Sequence, residues 1–505
     1  MPDCFRMSSL ISKSHAWVFV TAAALLLAAG CAVGPNFKKP APPNVAGYTP
    51  DPLAASTAVT KVAGGQAQSF VEGADIPGDW WKLFHSEALN GLISQSLTNN
   101  PDLKSAQAAL AQARETMLAG RGAYWPSASG SFSATRTKTS RQISPTPANN
   151  ALNFSLYTPQ ISVSYVPDVF GLNRRTVESL KAQEQSAQFA LIATHVTLSA
   201  NIVSAAIQEA SLREQISTTR QLIELNSHML GILSDQFTNG YASQLDVAAQ
   251  ESQLAQINAT LPPLEKQLAQ QRDLLAALAG RFPSESLPEK FSLANLELPV
   301  ELPVSLPSQL VEQRPDVRQA EANLHAASAQ VGIAAANRLP NITLTADAGT
   351  MAIETGKIFA GDAGFWDIGA SLTQPIFQGG TLLHNERAAR AAYTQAAEQY
   401  RSTVLTAFQN VADTLNALQT DATALKTAAV AANAAQVTLD LTRQQSEAGY
   451  SSYLTLLTAE QAYQQAQLNL VQAQANRFAD TAALFQALGG GWWHRAELTT
   501  DQHEK

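Results

Sequence analysis

Cysteine is almost missing from this chain: Cys4 and Cys31 are the only two in 505 residues. That excludes a disulfide scaffold and any cysteine-built zinc site. Charge is scarce as well, at 15% Asp, Glu, Lys and Arg, where about 25% is usual. The 33 basic and 41 acidic side chains leave a net charge of −8, so there is no basic footprint for nucleic acid. Aromatics reach only 7% although 45% of residues are hydrophobic, which is too apolar for a disordered chain. The histidines, at 15, 85, 195, 228, 325, 384, 494 and 503, are scattered. No HExxH, P-loop or nucleophile elbow occurs. An enzyme is therefore not expected, nor a metal or soluble cofactor. Beyond the N-terminus no uncharged apolar run approaches the roughly 18 residues of a membrane-spanning helix. Any crossing of a bilayer would have to be made by strands.

What is abundant is alanine, 87 residues, with many Gln, Ser and Thr. This is the profile of closely packed helices with small side chains and an uncharged polar surface. Arg6 and Lys13 precede an apolar run from Ala16 to Ala29, followed by Gly30-Cys31. A basic start, a short apolar core and small residues make an export signal over residues 1–30, with Met1 or Met7 as its start. Ala28-Ala29-Gly30-Cys31 resembles the bacterial lipoprotein cleavage site, in which the Cys is acylated; Ala28 stands where Leu is usual, with Leu27 one place earlier. Cys31 would then carry the N-terminal lipid, a palmitate-type anchor, as the only group attached to the mature chain. Residues 31–80 are rich in Pro, Gly, Ala and Ser and read as a lipidated extended arm.

From Trp80 the sequence repeats itself. Asn100-Pro101-Asp102-Leu103 opens a helix ending before Pro126, and Arg314-Pro315-Asp316-Val317 opens one ending before Pro340. Gly240-Tyr241-Ala242-Ser243-Gln244-Leu245 returns as Gly449-Tyr450-Ser451-Ser452-Tyr453-Leu454. Such a period is far too long for a solenoid of roughly 20–50-residue units. The chain is a duplicated unit, 81–298 and 299–490, with a polar and mobile tail at 491–505. Each half predicts a helix (102–124; 316–338), two strands, a very long helix (172–238; 381–447) and a shorter one (243–279; 452–488). The strands, about 127–140 and 157–168, then 341–352 and 364–376, alternate polar and apolar residues with period two. This is the weak signature of a transmembrane barrel. Phe408, Val411, Leu415, Leu418, Ala422 and Leu425 step by three and four, as in a coiled-coil seam. Pro262-Pro263 is expected to interrupt the first short helix.

Two strands per half give four per chain, and a small closed barrel needs about eight. An open sheet in lipid leaves edge groups unpaired, so copies must combine. Two or three copies both satisfy this arithmetic.

The chain resembles the TolC-like outer-membrane efflux proteins, in their NodT-type lipoprotein branch, from Gly30 to about Gly490. The resemblance is carried by Gly30-Cys31-Ala32-Val33-Gly34-Pro35, Asp79-Trp80-Trp81, Asn100-Pro101-Asp102-Leu103, Asp168-Val169-Phe170-Gly171, Leu261-Pro262-Pro263-Leu264, Arg314-Pro315-Asp316-Val317, Gln374-Pro375-Ile376-Phe377 and Tyr453-Leu454-Thr455-Leu456-Leu457. It implies a mainly α fold with a membrane β part: a long periplasmic α-helical barrel of twelve helices and a twelve-stranded transmembrane β-barrel in a homotrimer. It also implies a passive conduit in the outer membrane of a Gram-negative bacterium, exporting drugs or other toxic small molecules. The partners implied are a periplasmic adaptor and an inner-membrane pump, typically of the resistance–nodulation–division type. An outer-membrane component of a type I protein secretion system is the alternative, and a pore-free coiled-coil envelope lipoprotein a further one.

By the same resemblance a periplasmic gate lies where the short helices start, at Tyr241 to Asp246 and Tyr450 to Gln461. Asp246 matches a gate acid and Leu454 a position that narrows the pore. Thr458 stands where relatives often carry Asp, and Gln461 where some carry Arg. The expected gate is therefore apolar narrowing at Leu454 plus an Asp246 ring. Periodicity alone would make Leu454 coiled-coil core and Asp246 a helix-cap neighbour. Among the aromatics near the strands, Trp366 and Tyr157 are expected in an interfacial girdle and Trp125 in packing.

Overall fold

The computed structural model of the chain describes residues 32–140, 142, 152–285 and 287–499. The export signal and Cys31 lie outside the described residues. The chain forms two compact units that each draw on both repeats. The first comprises residues through Lys39, Leu110–Ser186 and Ala320–Tyr400; the second comprises Pro40–Ala109, Ala187–Gln319 and Arg401–Lys505.

The helices follow the sequence closely. Strand β1 (Ser69–Glu72) precedes α1 (Glu87–Asn99) and α2 (Pro101–Arg121). Strands β2 (Ser127–Lys138) and β3 (Asn153–Tyr165) lead to α3 (Leu172–Thr238) and α4 (Gln244–Leu278). The second repeat adds β4 (Glu301–Val304), α5 (Pro307–Gln313), α6 (Pro315–Ala336), β5 (Asn341–Thr350) and β6 (Gly364–Thr373). It ends with α7 (Thr381–Glu447), α8 (Tyr453–Ala487) and α9 (Ala496–Thr499). Both α3 and α7 span 67 residues, roughly 100 Å at 1.5 Å per residue. Strand β3 begins at Asn153, earlier than expected, and stops before Val166-Pro167.

Pro262-Pro263 does not interrupt α4, contrary to expectation. Both prolines are exposed, so the carbonyls that lose their N–H partners can turn to water. One stretch of α3 also has the length and hydropathy of a membrane span, with mean hydropathy 1.6, contrary to expectation. Of that stretch 61% is buried, so its apolar surface is used in protein packing.

In the second unit the core is built on the seam read from the sequence. Val411, Leu415, Leu418, Ala422 and Leu425 are all buried. Trp80 is fully buried and stacks on Phe485, with ring centroids 5.2 Å apart, while Phe84 lies against both Trp80 and Phe478. Each such side chain contributes about 1.5–3 kcal/mol of burial. Strand β1 pairs in parallel with β4. The arm beside it is held by Gln68, whose backbone N–H donates to Thr57 Oγ1 at 2.9 Å. The buried Arg477 guanidinium donates to the same oxygen at 2.7 Å. The tail expected to be mobile is instead packed over 491–499. Trp492 donates to the Gln313 carbonyl at 2.7 Å, Arg495 to Asp79 at 2.8 Å, and Arg495 also lies over the Trp81 ring. Both tryptophans also find a partner for the ring N–H, Trp493 donating to Asp75 Oδ1 at 3.0 Å.

In the first unit the start of the arm is held by one buried arginine on α3. Arg175 donates to the Val33 carbonyl at 3.1 Å, the Gly34 carbonyl at 3.3 Å and Asn36 Oδ1 at 2.8 Å. Its charge is met by Glu178 at 2.7 Å, and Glu178 also meets His325 at 2.9 Å. Burial pushes the Glu178 carboxyl up, but its hydrogen bonds and charge contacts with Arg175 and His325 outweigh this and leave it below its ordinary value. Phe37 stacks on the His325 ring at 4.3 Å. The approach needs glycines: a Cβ on Gly171 would sit 2.7 Å from Ala32 Cα, and one on Gly34 2.5 Å from Gly332 Cα. Replacing Arg175 by Ala removes every one of these donors at once. Limited proteolysis should then cut within residues 32–39, a segment protected in the parent protein; equal protection would show that Arg175 does not hold the arm.

Candidate functional site

Two places carry residues that a channel would use, the sheet of the first unit and the helix tips of the second. The sheet is antiparallel in the order β2-β3-β5-β6. The register places Ser162 opposite Asp347 and Asp347 opposite Asp367. Successive side chains alternate between faces, so the register sorts the sheet, except towards its far end, where Arg136 and Lys138 share the face of Phe132 and where Phe154, Leu156 and Phe365 share the face of Ser162. One face carries Ser127, Ser129, Ser131 and Ser133, then Gln160, Ser162 and Ser164, then Thr343, Thr345 and Asp347, then Asp367, Ser371 and Thr373. The other carries Phe132 and Ala134, Tyr157, Ile161 and Val163, Ile342, Leu344 and Ala346, and Trp366, Ile368 and Leu372.

The apolar face is uncovered within the chain. Phe132, Ile161, Trp366, Ile368 and Leu372 are 62–77% exposed. Strands of 10–13 residues match the 9–11 that a tilted strand needs to cross a bilayer. On the polar face Ser162 of β3 donates to Asp347 Oδ1 of the neighbouring β5. Like charges directly opposite are unfavourable, so Asp347 and Asp367 suit a wet environment. Trp125, expected in packing, is 76% exposed, because the turn before β2 leaves it without a neighbouring element. The outer edges of β2 and β6 have no partner strand in the described chain.

The tips are built twice by the same local chemistry. Helices α3 and α7 both end at a glycine in the left-handed region, Gly240 and Gly449. Tyr241 N–H donates to the Gln236 carbonyl and Tyr450 N–H to the Gln445 carbonyl, each at 2.8 Å. This is a Schellman ending. It throws Tyr241 and Tyr450 outward, 86% and 87% exposed, with Leu245 at 77% and Leu454 at 67%.

Asp246 closes a capping box with Ser243, accepting from the Ser243 N–H at 3.0 Å and hydroxyl at 2.6 Å. The second repeat has Ser452 and Thr455 there, so the cap remains but the carboxylate does not. Thr458 donates to the Leu454 carbonyl at 2.9 Å, within its own helix. Gln461 crosses to α4 and donates to Gln253 Oε1 at 2.7 Å.

Beside these lies a buried polar brace that sequence reasoning did not single out. Tyr453 OH donates to Gln250 Oε1. Gln250 Nε2 donates to the Asn226 carbonyl at 3.0 Å and to Asn226 Oδ1 at 3.1 Å. Gln250, Gln253 and Asn226 are all buried. The signal available was amides at buried helical positions, but burial depends on the helix pairing and is not local. Next to the brace, Glu460 is 3% exposed and neither carboxyl oxygen has a hydrogen-bond partner. Leu456 and Ala459 of the same helix pack with Leu439, Met229, Tyr453 and Tyr463.

Burial pushes the Glu460 carboxyl up from 4.5 to about 7, against the opposing pull of Arg443. A carboxyl raised on folding costs nothing at low pH. The cost appears as pH rises from 4.5 towards 7 and is complete above it. After correction for intrinsic rates, hydrogen exchange across 453–463 should be slower at about pH 5 than at about pH 8. Glu460→Gln should abolish the difference; a difference that survives the substitution assigns it to another group.

The family profile described as outer membrane efflux protein matches residues 92–281 and 306–490. The pyoverdine export outer membrane protein OpmQ of Pseudomonas aeruginosa is 30% identical, covering 88% of this chain and 94% of that protein. The toluene efflux pump outer membrane protein TtgF of Pseudomonas putida is also 30% identical, over 95% and 97%. Among solved structures, the outer-membrane channel OprN matches with a TM-score of 0.81 and 26% identity, over 92% of this chain and 100% of that one. The outer membrane protein VceC of Vibrio cholerae matches with a TM-score of 0.77 and 26% identity, over 83% and 100%. With a duplicated helical unit, a two-faced membrane sheet and a family match in both repeats, the chain belongs to the outer membrane efflux protein family.

Proposed function

We propose that three copies of this chain form a passive outer-membrane conduit through which a periplasmic adaptor and an inner-membrane pump expel small molecules. The observation that carries this reading is the four-stranded sheet with one apolar face, one polar face and two open edges. In lipid those edges must be paired, and β2 of one copy can take β6 of the next. Symmetric closure is the common solution for identical chains, and three copies give a barrel wide enough to leave an aqueous lumen. The apolar face then meets lipid and the Ser/Thr face lines the lumen. Relatives named for pyoverdine export and toluene efflux support small cargo. Transport by such a conduit needs no catalytic centre: energy and selection belong to the pump.

The lipoprotein reading completes the picture: Cys31 carries the acyl anchor and needs no other cofactor. At the tips, Leu454 and Leu245 supply apolar narrowing and Asp246 a ring of carboxylates, with Tyr241 and Tyr450 outermost. Gln461 makes a neutral hydrogen bond to Gln253 where a charge lock would stand, which leaves the Asp246 ring as the charge of the gate.

The purified protein should give a heat-dissociable trimer band and discrete conductance in planar bilayers. A strand-free, soluble extract without conductance would overturn the reading. Leu454→Ala should raise closed-state conductance severalfold; unchanged conductance would remove Leu454 from the gate. Asp347→Asn with Asp367→Asn removes six carboxylates from a trimeric lumen and should lower cation preference, read from the reversal potential in a salt gradient. An unaltered reversal potential would place both acids outside the conduction path.

A further inference from the structure

We infer that the cleft at the base of the membrane sheet seats the first part of an acyl chain of the protein's own N-terminal lipid. This rests on the acylation of Cys31 proposed above. The cleft holds about 360 Å³ and lies wholly in the first unit, where β3 passes into α3 and α6 passes into β5. Val166, Phe170, Leu172, Leu339, Ile342 and Pro375 give it an apolar wall. The one carboxylate beside them, Asp168, is already committed. It accepts from Asn173 N–H at 2.9 Å and Arg174 N–H at 2.8 Å, and from Arg174 Nε at 3.1 Å. Nothing charged in the wall is left free to demand water.

The course of the chain identifies the occupant. Val33 N–H donates to the Phe170 carbonyl at 3.0 Å, and Phe170 is itself part of the wall. Ala32 is pressed against Gly171 so closely that no side chain fits there. Arg175, 4% exposed, then holds Val33, Gly34 and Asn36 by three hydrogen bonds. The segment is thus pinned one residue after Cys31. Consecutive Cα atoms are about 3.8 Å apart, so a lipid carried by the residue before Ala32 is tethered within reach of this wall. The anchor would be held at a set height at the ends of the strands, instead of floating on a slack tether. A phospholipid tail from the bilayer, or a side chain of a second copy, are the competing occupants.

The full-length protein, made in cells fed a diazirine-bearing fatty acid and irradiated in membranes, tests this. The mass of the N-terminal peptide reports first whether Cys31 is acylated. An unmodified Cys31 would overturn the lipoprotein reading and this inference with it. With Cys31 acylated, fragment-ion mapping should place the crosslinks of the N-terminal peptide at Phe170, Leu339 or Pro375, and not at Trp366 or Ile368. Leu339→Trp and, separately, the exposed-site change Asn337→Trp should both reduce these crosslinks while acylation persists. Cleft labelling that is unchanged in Cys31→Ser would assign the cleft to phospholipid and overturn the inference. Crosslinks from the anchor to the strand face or to another copy would do the same.

Discussion

The constraint on which the rest depends is that a backbone in lipid must pair every N–H and C=O. Four strands of 10–13 residues cannot do so alone. The sheet β2-β3-β5-β6 leaves two edges for other copies, so the membrane part is incomplete in one chain. Oligomerisation is therefore a requirement of hydrogen bonding before it is a matter of interface affinity. The same requirement explains the composition. The apolar face carries charge only at the far end of β2, at Arg136 and Lys138, and the opposite face is mostly hydroxyls with Asp347 and Asp367 among them.

Duplication supplies the parts in pairs, and the two repeats show which features are structural and which are free to drift. The Schellman glycines Gly240 and Gly449 and the caps Ser243 and Ser452 occur in both, because both long helices must stop and reverse. The carboxylate of Asp246 occurs once, with Thr455 in its place in the second repeat. A cap can be made by a hydroxyl or a carboxylate, so only the second kind adds charge to the tip. Conversely, Tyr453, Gln250, Gln253 and Asn226 brace the tip with neutral groups, and Glu460 sits beside them in a site that favours its protonated form. Neutral hydrogen bonds are weaker than charge-assisted ones, so this brace holds the helices less firmly than ion pairs would.

Much of this was legible from residues alone. The limits of α3 and α7 follow from the absence of proline and from the glycines that end them. The two faces of the sheet follow from period-two alternation in Ile342 to Thr345 and Ile368 to Ser371. The seam from Val411 to Leu425 follows from steps of three and four. What the sequence reading got wrong concerned the surroundings of a segment. Pro262-Pro263 suggested a broken helix, but an exposed face lets water take the freed carbonyls. Residues 491–505 read as a loose polar tail, yet within it Trp492 and Arg495 find partners at Gln313 and Asp79. Trp125 looked like packing and stands in the open.

Sequence by itself determined the helix and strand types and the helix-ending residues, because each is set by sterics and periodicity within a few residues, and the duplication, because the same motifs return in order. Only the tertiary structure decided that β3 pairs with β5, that Arg175 pins the start of the arm, and that Gln250 meets Tyr453 across 203 residues. These are contacts between segments far apart in the chain. Their free energy depends on burial and on a partner's geometry, and neither is encoded in any one stretch of residues.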